Sequence, residues 1–333
     1  MTTSAFRTEG PLSSVPADDS GTGTTPCPPA HRFPTLTTTV PMEFVHRAAV
    51  AEVMLTDWRR RGDTHFEVTA QWPRGHSFYS PIGAHHDPLL AAETIRQAGS
   101  LLAHTEFGVP LGHQFLMWDL QYAVEPEHLL IGGTPASLDI DVVCSDVKRR
   151  GGSLTGLRYS AVIRREGHVA ATGTASYTCV PPAVYRRLRT GRGLQDGRPR
   201  IPLGPPVPPR SVGRVSPRDV VLSPTGEPGR WQLRTDDRHH VLFDHPVDHV
   251  PGMALIESAR QAAAVVLGDS ALLPMAITSH FTRYAELNAP CLVEATVLSA
   301  TEAGAGRRGV RVTGHQEGEP VFTSTVTSPP RSL

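Results

Sequence analysis

The chain has 333 residues with 32 Lys+Arg against 32 Asp+Glu, so no bulk field points to nucleic acid or a membrane surface, and recognition of an anion falls to local arginines. Hydrophobic residues at 39% and charged residues at 19% suit packed cores rather than global disorder, and the length suits two domains. Cys27, Cys144, Cys179 and Cys291 form no CxxC pair, which excludes a zinc pattern or disulfide framework and fits reduced thiols in a cytoplasm. No apolar run of about 18 residues predicts a membrane span, and no basic-then-apolar start predicts a secretory signal.

Residues 1–40 are rich in Ser, Thr, Pro and Gly and are expected to be disordered or loosely docked. A first unit over 41–185 holds a helix after a short extended stretch. Asp87 is its expected N-cap, Pro88 its first residue, Glu106 its approximate end, and Gly108 lies just beyond. Leu89, Leu90, Ile95, Leu101 and Leu102 make it apolar around its circumference, hence buried. Leu138–Cys144, Leu157–Arg164 and, after a Glu166-Gly167 turn, Val169–Val180 alternate with period two and predict an antiparallel meander.

Residues 186–210 read as a linker. From about Tyr185 the arginines 186, 187, 189, 192, 198 and 200, followed by Gly204-Pro205-Pro206 and Pro208-Pro209, predict neither helix nor central strand, with the arginines solvated. A sharper alternative makes them a docking strip for an acidic carrier protein. A second unit over 211–330 repeats the grammar. It has a helix over about Met253–Leu267 stopped by Gly268, then strands over Leu292–Ser299, Arg308–Gln316 and Val321–Thr327.

The two units share sequence. Glu93-Thr94-Ile95-Arg96-Gln97-Ala98 recurs as Glu257-Ser258-Ala259-Arg260-Gln261-Ala262. At the same spacing His85 falls on His249 and Tyr79 on Phe243, and Tyr122-Ala123 matches Tyr284-Ala285 after a two-residue slip. An ordered set of matches implies duplication of one unit. The fold class is α+β: a tandem double hotdog, each unit a long central helix wrapped by a curved antiparallel sheet.

A glutamate inside an apolar helix is costly unless paired or functional. Glu93 shares a helix face with Arg96 and Gln97, and Glu257 with Arg260 and Gln261. Each set is either a general base with substrate-binding neighbours or a satisfied buried ion pair; desolvation tends to lift the carboxyl toward a useful pKa, while the adjacent arginine pulls the other way and keeps it ionised. His85, His86, His245 and His249 stand just before the helices, within reach of the N-terminal N–H groups that stabilise an oxyanion. His85, His245 and His249 are catalytic candidates and His86 a substrate contact. Trp118 and Tyr122 are candidate pocket wall. No HExxH-like spacing predicts a metal.

Two resemblances follow. Phe243-Asp244-His245-Pro246, Val250-Pro251-Gly252-Met253 and Ile256-Glu257 resemble the signature of β-hydroxyacyl carrier-protein dehydratases, with a shorter His-to-Glu spacing and no phenylalanine after the histidine. Gln71-Trp72-Pro73-Arg74-Gly75-His76-Ser77-Phe78-Tyr79, His86-Asp87-Pro88-Leu89-Leu90, Glu93 to Ala98 and Gly112-His113-Gln114-Phe115-Leu116-Met117-Trp118-Asp119-Leu120 resemble the A-factor synthase family, over about residues 43–328. That resemblance implies two hotdog repeats. It also implies β-ketoacyl transfer from an acyl carrier protein to the hydroxyl of dihydroxyacetone phosphate, the first committed step toward γ-butyrolactone-type signalling molecules. The acyl group would ride on the carrier's phosphopantetheine, with no other cofactor, and Arg96 or Arg260 would meet the phosphate. No nucleic-acid or membrane partner is implied; the chain would be a monomeric double hotdog or a homodimer. The alternatives are a hotdog dehydratase or thioesterase, or a non-catalytic regulator that binds an acyl metabolite, although no helix-turn-helix output module is legible.

Overall fold

Strands whose alternate residues bury on one face build each half of the molecule, in a computed structural model that describes residues 36–192, 199–304 and 306–330. The tail expected over 1–40 lies outside the described residues up to position 35, as do Cys27 and Arg198. In the first half the strands are β1 (Leu55–Arg60), β2 (His65–Trp72), β3 (Gln114–Val124), β4 (Ala136–Arg150), β5 (Ser153–Arg165) and β6 (His168–Val180). The second half has β7 (Leu222–Pro224), β8 (Arg230–Leu233), β9 (Ala276–Phe281), β10 (Cys291–Val297), β11 (Arg308–Gln316) and β12 (Glu319–Ser328).

Among the described residues the twelve strands join one sheet in the order β1-β2-β4-β5-β6-β3-β9-β12-β11-β10-β8-β7, so the second half mirrors the first across the antiparallel β3–β9 seam. The two tight hairpins match as well. Glu166-Gly167 and Glu317-Gly318 both take positive φ at both central residues, the geometry that suits the twist of the flanking strands. These turns fix the correspondence of the repeats. Tyr122 pairs with Gly173 in β6, and Ser279 pairs with Ser324 at the matching place in β12. Tyr122 therefore corresponds to Ser279, and its sequence match to Tyr284, which lies beyond β9, is not structural.

Each curved half-sheet wraps one helix: α1 (Leu89–Thr105) in the first, α3 (Gly252–Leu267) in the second. Only Arg96 and Thr105 of α1 escape full burial. Tyr159 and Tyr177, from β5 and β6, donate their hydroxyls to the Ile95 and Gly99 carbonyls at 2.8 Å. Gly99 is required there, because a Cβ would meet the Tyr159 ring at 2.4 Å. The helix starts one residue later than expected, with Pro88 at the cap, and Asp87 Oδ1 accepts the Leu89 N–H at 2.9 Å. Helix α3 ends at Gly268 in the left-handed conformation, as its sequence predicts.

The linker reading needs correction at its start. Residues up to Arg189 form helix α2 (Pro182–Arg189), because the proline cluster begins only ten residues on. Arg189, expected to be solvated, is 1% exposed. Among the described residues no helix is long and apolar enough to cross a membrane.

Candidate active site

One polar network is built twice. In the first copy Glu93 accepts from Arg47 Nε (3.0 Å), Arg96 Nη2 (2.7 Å) and Gln97 Nε2 (2.6 Å) on Oε1, and from Arg96 Nε (2.9 Å) on Oε2. In the second, Glu257 accepts from Arg214 Nε (3.0 Å), Arg260 Nη2 (2.6 Å) and Gln261 Nε2 (2.5 Å) on Oε1, and from Arg260 Nε (2.9 Å) on Oε2. Gln97 and Gln261 each also accept a backbone N–H, from Met54 and Val221. His76 and His239 occupy matching turns. Each Nδ1 accepts two successive N–H groups, and each Nε2 faces an acid, Glu52 or Asp219, at 3.3 Å.

Of the two opposing effects expected at each buried glutamate, desolvation and the neighbouring arginine, the arginine prevails. Burial pushes Glu93 and Glu257 up, but two guanidiniums and a carboxamide outweigh it and hold each at about 2. Both are ionised, and each is ion-paired with the arginine one turn on and with Arg47 or Arg214.

The copies differ in access. Arg260 is 3% exposed, whereas Arg96 is 17% exposed and lines a cleft. That cleft lies between α1 of the first repeat and the 241–253 segment of the second. Arg47, Arg96, Ser100, Asp244, His245 and His249 give it its polar wall. Arg96 commits Nε and Nη2 to Glu93 and the Val45 carbonyl, and Nη1 makes no hydrogen bond among the described residues. An apolar cleft of about 290 Å³ adjoins it, walled by Leu116, Val250, Leu255, Phe281, Tyr284 and Ala285. The two clefts share Phe115, Met117, His249 and Gly252. Gly252 is the first residue of α3, so the positive end of that helix opens where the clefts meet.

Two Asp–His pairs stand on the 241–253 segment. His245 Nδ1 lies 2.6 Å from Asp244 Oδ1, and His249 Nδ1 lies 2.7 Å from Asp248 Oδ1. A carboxylate only accepts, so each imidazole donates from Nδ1 and keeps Nε2 as the second nitrogen. Asp244 also accepts the Ala48 N–H at 2.9 Å. Opposite, His46 has a left-handed backbone (φ 54°) and its Nε2 lies 2.8 Å from His104 Nε2. His104 donates from Nδ1 to the Val109 carbonyl at 2.7 Å, so His46 must carry its proton on Nε2 and offers a lone pair at Nδ1. Burial, then Arg96, His104 and His245, hold His46 near 3, so it stays neutral.

Of the residues singled out from sequence, the fold brings Glu93, Arg96, Gln97, His245 and His249 to the open cleft or directly behind it, and Trp118 to the apolar wall. It does not bring Glu257, Arg260 and Gln261 there. Arg214 of that network reaches the Phe78 carbonyl at the opposite, closed junction. His245 and Glu257 thus belong to different junctions, and the pair expected from the dehydratase resemblance is not assembled. His85 bridges to Ile82 and Leu130, and His86 is buried against Trp72, held at about 4 by burial and Arg165. Tyr122 is buried, its hydroxyl 3.3 Å from the Pro274 carbonyl. Sequence reading missed His46, Arg47, Asp244 and Asp248. The doubled Asp-His in Asp244-His245-Pro246-Val247-Asp248-His249 was the signal available for the last two. Among the described residues no three His, Cys, Asp or Glu side chains gather as a metal site.

The chain matches the family model described as the A-factor biosynthesis hotdog domain over residues 30–181 and 199–330. It is 54% identical to a 2-oxo-3-(phosphooxy)propyl 3-oxoalkanoate synthase of Streptomyces virginiae, over 87% of this chain and 98% of that protein. It is 43% identical to the protein of that name from Streptomyces coelicolor, over 87% and 91%. Among solved structures, the 12:0-ACP thioesterase from Umbellularia californica aligns with a TM-score of 0.47 and 12% identity, over 81% of this chain and 99% of that one. By the family match and by both relatives, this chain belongs to the A-factor biosynthesis hotdog family.

Proposed function

We propose that the chain is a cytoplasmic acyltransferase. It moves a β-ketoacyl group from the phosphopantetheine thioester of an acyl carrier protein to the hydroxyl of dihydroxyacetone phosphate, committing the product to γ-butyrolactone-type signalling molecules. The name carried by the relatives, 2-oxo-3-(phosphooxy)propyl 3-oxoalkanoate synthase, denotes the ester that this transfer yields. The observation that carries the reading is the meeting of an apolar and a cationic cleft at His249 and Gly252.

The acyl chain lies along Leu255, Phe281 and Ala285, and its carbonyl sits at the α3 N-terminus, where free N–H groups stabilise developing negative charge. The acceptor enters from the other cleft, its phosphate on Arg96 Nη1, a donor with no partner among the described residues. His249 Nε2 takes the hydroxyl proton as oxygen attacks the thioester carbon. The tetrahedral intermediate collapses, the C–S bond breaks, and the same proton passes to the departing thiolate. Glu93 does not take the proton; it fixes Arg47 and Arg96 in the wall.

Mass analysis of the product from a β-ketoacyl carrier protein and dihydroxyacetone phosphate tests this. The phosphorylated β-keto ester is expected. Free β-keto acid as the only product, with the phosphate acceptor ignored, would show a thioesterase instead.

A further inference from the structure

The two repeats keep six matching polar positions, yet diverge at the histidine before each helix. His85 and His249 correspond: each makes an isolated bridge to the segment after the first post-helix strand, His85 with Leu130 and His249 with Glu286. The following residues confirm the match, because His86 N–H donates to Leu129 and Val250 N–H to Ala285. Before His85 stands Ala84; before His249 stands Asp248. Across the bridge, Leu130 is replaced by Glu286. The acids appear only in the half whose histidine faces the open clefts.

These acids are held from outside the repeat. Helix α2 sends two side chains to them. Tyr185 donates its hydroxyl to Asp248 Oδ1 at 2.7 Å and lies 3.4 Å from His249 Nδ1. Arg189 gives Nε to Asp248 Oδ2 at 3.1 Å, and Nη1 and Nη2 to the two Glu286 oxygens at 2.7 and 2.6 Å. Its guanidinium also lies 4.4 Å from the Tyr284 ring centre, and that ring meets His249 edge-on at 4.7 Å. A buried arginine with every nitrogen engaged is costly to assemble unless the arrangement it fixes matters.

We propose that α2, the segment between the repeats, is the positioning element of the active site: Tyr185 and Arg189 hold the Asp248 carboxylate so that His249 is kept in one tautomer with Nε2 toward the junction of the clefts. This rests on the reading of His249 as the proton acceptor. Asp248 orients the ring through Nδ1–H, and α2 prevents Asp248 from turning to solvent. The charged and titratable groups around His249 are Asp248 on its own segment, Tyr185 and Arg189 on α2, Tyr284 and Glu286 beyond β9, and, along the two clefts it lines, His46, Arg47, Arg96, Asp244, His245 and Arg283. Tyr185 and Arg189 withdraw charge from Asp248, so removing either lets the carboxylate hold the imidazole proton more strongly.

The test is the pH dependence of kcat and KM for Tyr185→Phe, Arg189→Met, Arg189→Lys and His249→Gln, each first checked by circular dichroism. Tyr185→Phe removes one oxygen and keeps the ring, so it folds even where Arg189→Met does not. It is expected to lower kcat about tenfold, the worth of one hydrogen bond to a charged group, with KM for the thioester unchanged. The acid limb of its kcat profile should move to higher pH. Arg189→Met should move that limb further, by about one unit, and Arg189→Lys should fall between it and the wild type. A purely structural helix would leave the limb in place. An unmoved limb and unchanged kcat in folded Tyr185→Phe overturn the proposal, whatever the arginine variants do. A folded His249→Gln with wild-type kcat overturns the underlying assignment of the base instead, so the two failures are told apart.

Discussion

Arg47 and Arg214 make the same pair of contacts in opposite halves of the molecule. Each binds the helix glutamate of its own repeat through Nε at 3.0 Å, Glu93 or Glu257. Each also donates Nη1 to a backbone carbonyl of the other repeat, Val241 or Phe78. The two arginines therefore fasten the repeats together, and both are under a tenth exposed. Removing either guanidinium leaves a buried carboxylate short of its partner, which costs about 3–5 kcal/mol. Arg47→Met and Arg214→Met should both lose that much in urea unfolding. Folded Arg214→Met should keep its turnover, because its junction is closed, whereas Arg47→Met should lose turnover as well.

Acid should unfold the protein in two stages. His46 falls from 6.5 to about 3 and His86 from 6.5 to about 4 through burial, so both are held neutral in the fold. Glu93 and Glu257 fall from 4.5 to about 2. Every one of these folded values lies below the unfolded one. Each group's stabilisation is therefore complete above its unfolded value and lost as pH falls toward its folded one. Stability should begin to decline below pH 6.5 and steepen below 4.5. Urea midpoints from pH 7 to 3 measure it, and a His46→Gln/His86→Gln variant should weaken the upper stage, to which buried His104 also contributes, and leave the lower one.

The helices, the meanders and the duplication were legible because they rest on local periodicity and on a motif copied residue for residue, Glu93 to Ala98 and Glu257 to Ala262. The duplicated turns of His76 and His239 were not, since only the histidine survives between the two loops. Arg47 and Arg214 lie far from the motif they complete. The difference between an open Arg96 and a closed Arg260 is set by packing across the junction, which no spacing encodes. Helix α2 was masked by its neighbours: the prolines after position 198 coloured a stretch whose first residues pack against the second repeat.

That packing difference separates two otherwise identical arginines. Arg96→Met should raise KM for the phosphorylated acceptor at least tenfold while leaving KM for the thioester unchanged, the loss of one charge-assisted contact. Arg260→Met should lower stability and leave the acceptor KM of the folded fraction alone. An acceptor KM that responds to Arg260 and not to Arg96 would move the phosphate to the other junction.

On the proposed function the apolar cleft would hold the acyl chain. Leu255 lies one turn into α3 on its wall. Leu255→Trp should fill the cleft and shift preference to shorter acyl groups, read as the mass distribution of esters formed from mixed thioesters. Overpacking there costs about 1–3 kcal/mol, so the comparison is made on folded protein. An unchanged distribution would place the chain elsewhere.

The last prediction separates the two candidates for the base. Glu93 is ionised, but its oxygens already take hydrogen bonds from Arg47, Arg96 and Gln97, and a carboxyl held at about 2 has little affinity for a proton. His249 lines both clefts, has its Nδ1 committed to Asp248, and makes no hydrogen bond through Nε2 among the described residues. Removing a positioned base costs roughly 10²–10⁴-fold in rate. His249→Gln should show that loss in kcat with the fold intact. Glu93→Gln should act otherwise: stability falls, because Arg47 and Arg96 lose their shared counter-charge, and the acceptor KM shifts as Arg96 relaxes. The kcat of its folded fraction should fall by less than that of His249→Gln. If instead Glu93→Gln abolishes kcat at full stability while His249→Gln turns over normally, the carboxylate is the base, and the two arginines would have to release it when the acceptor binds.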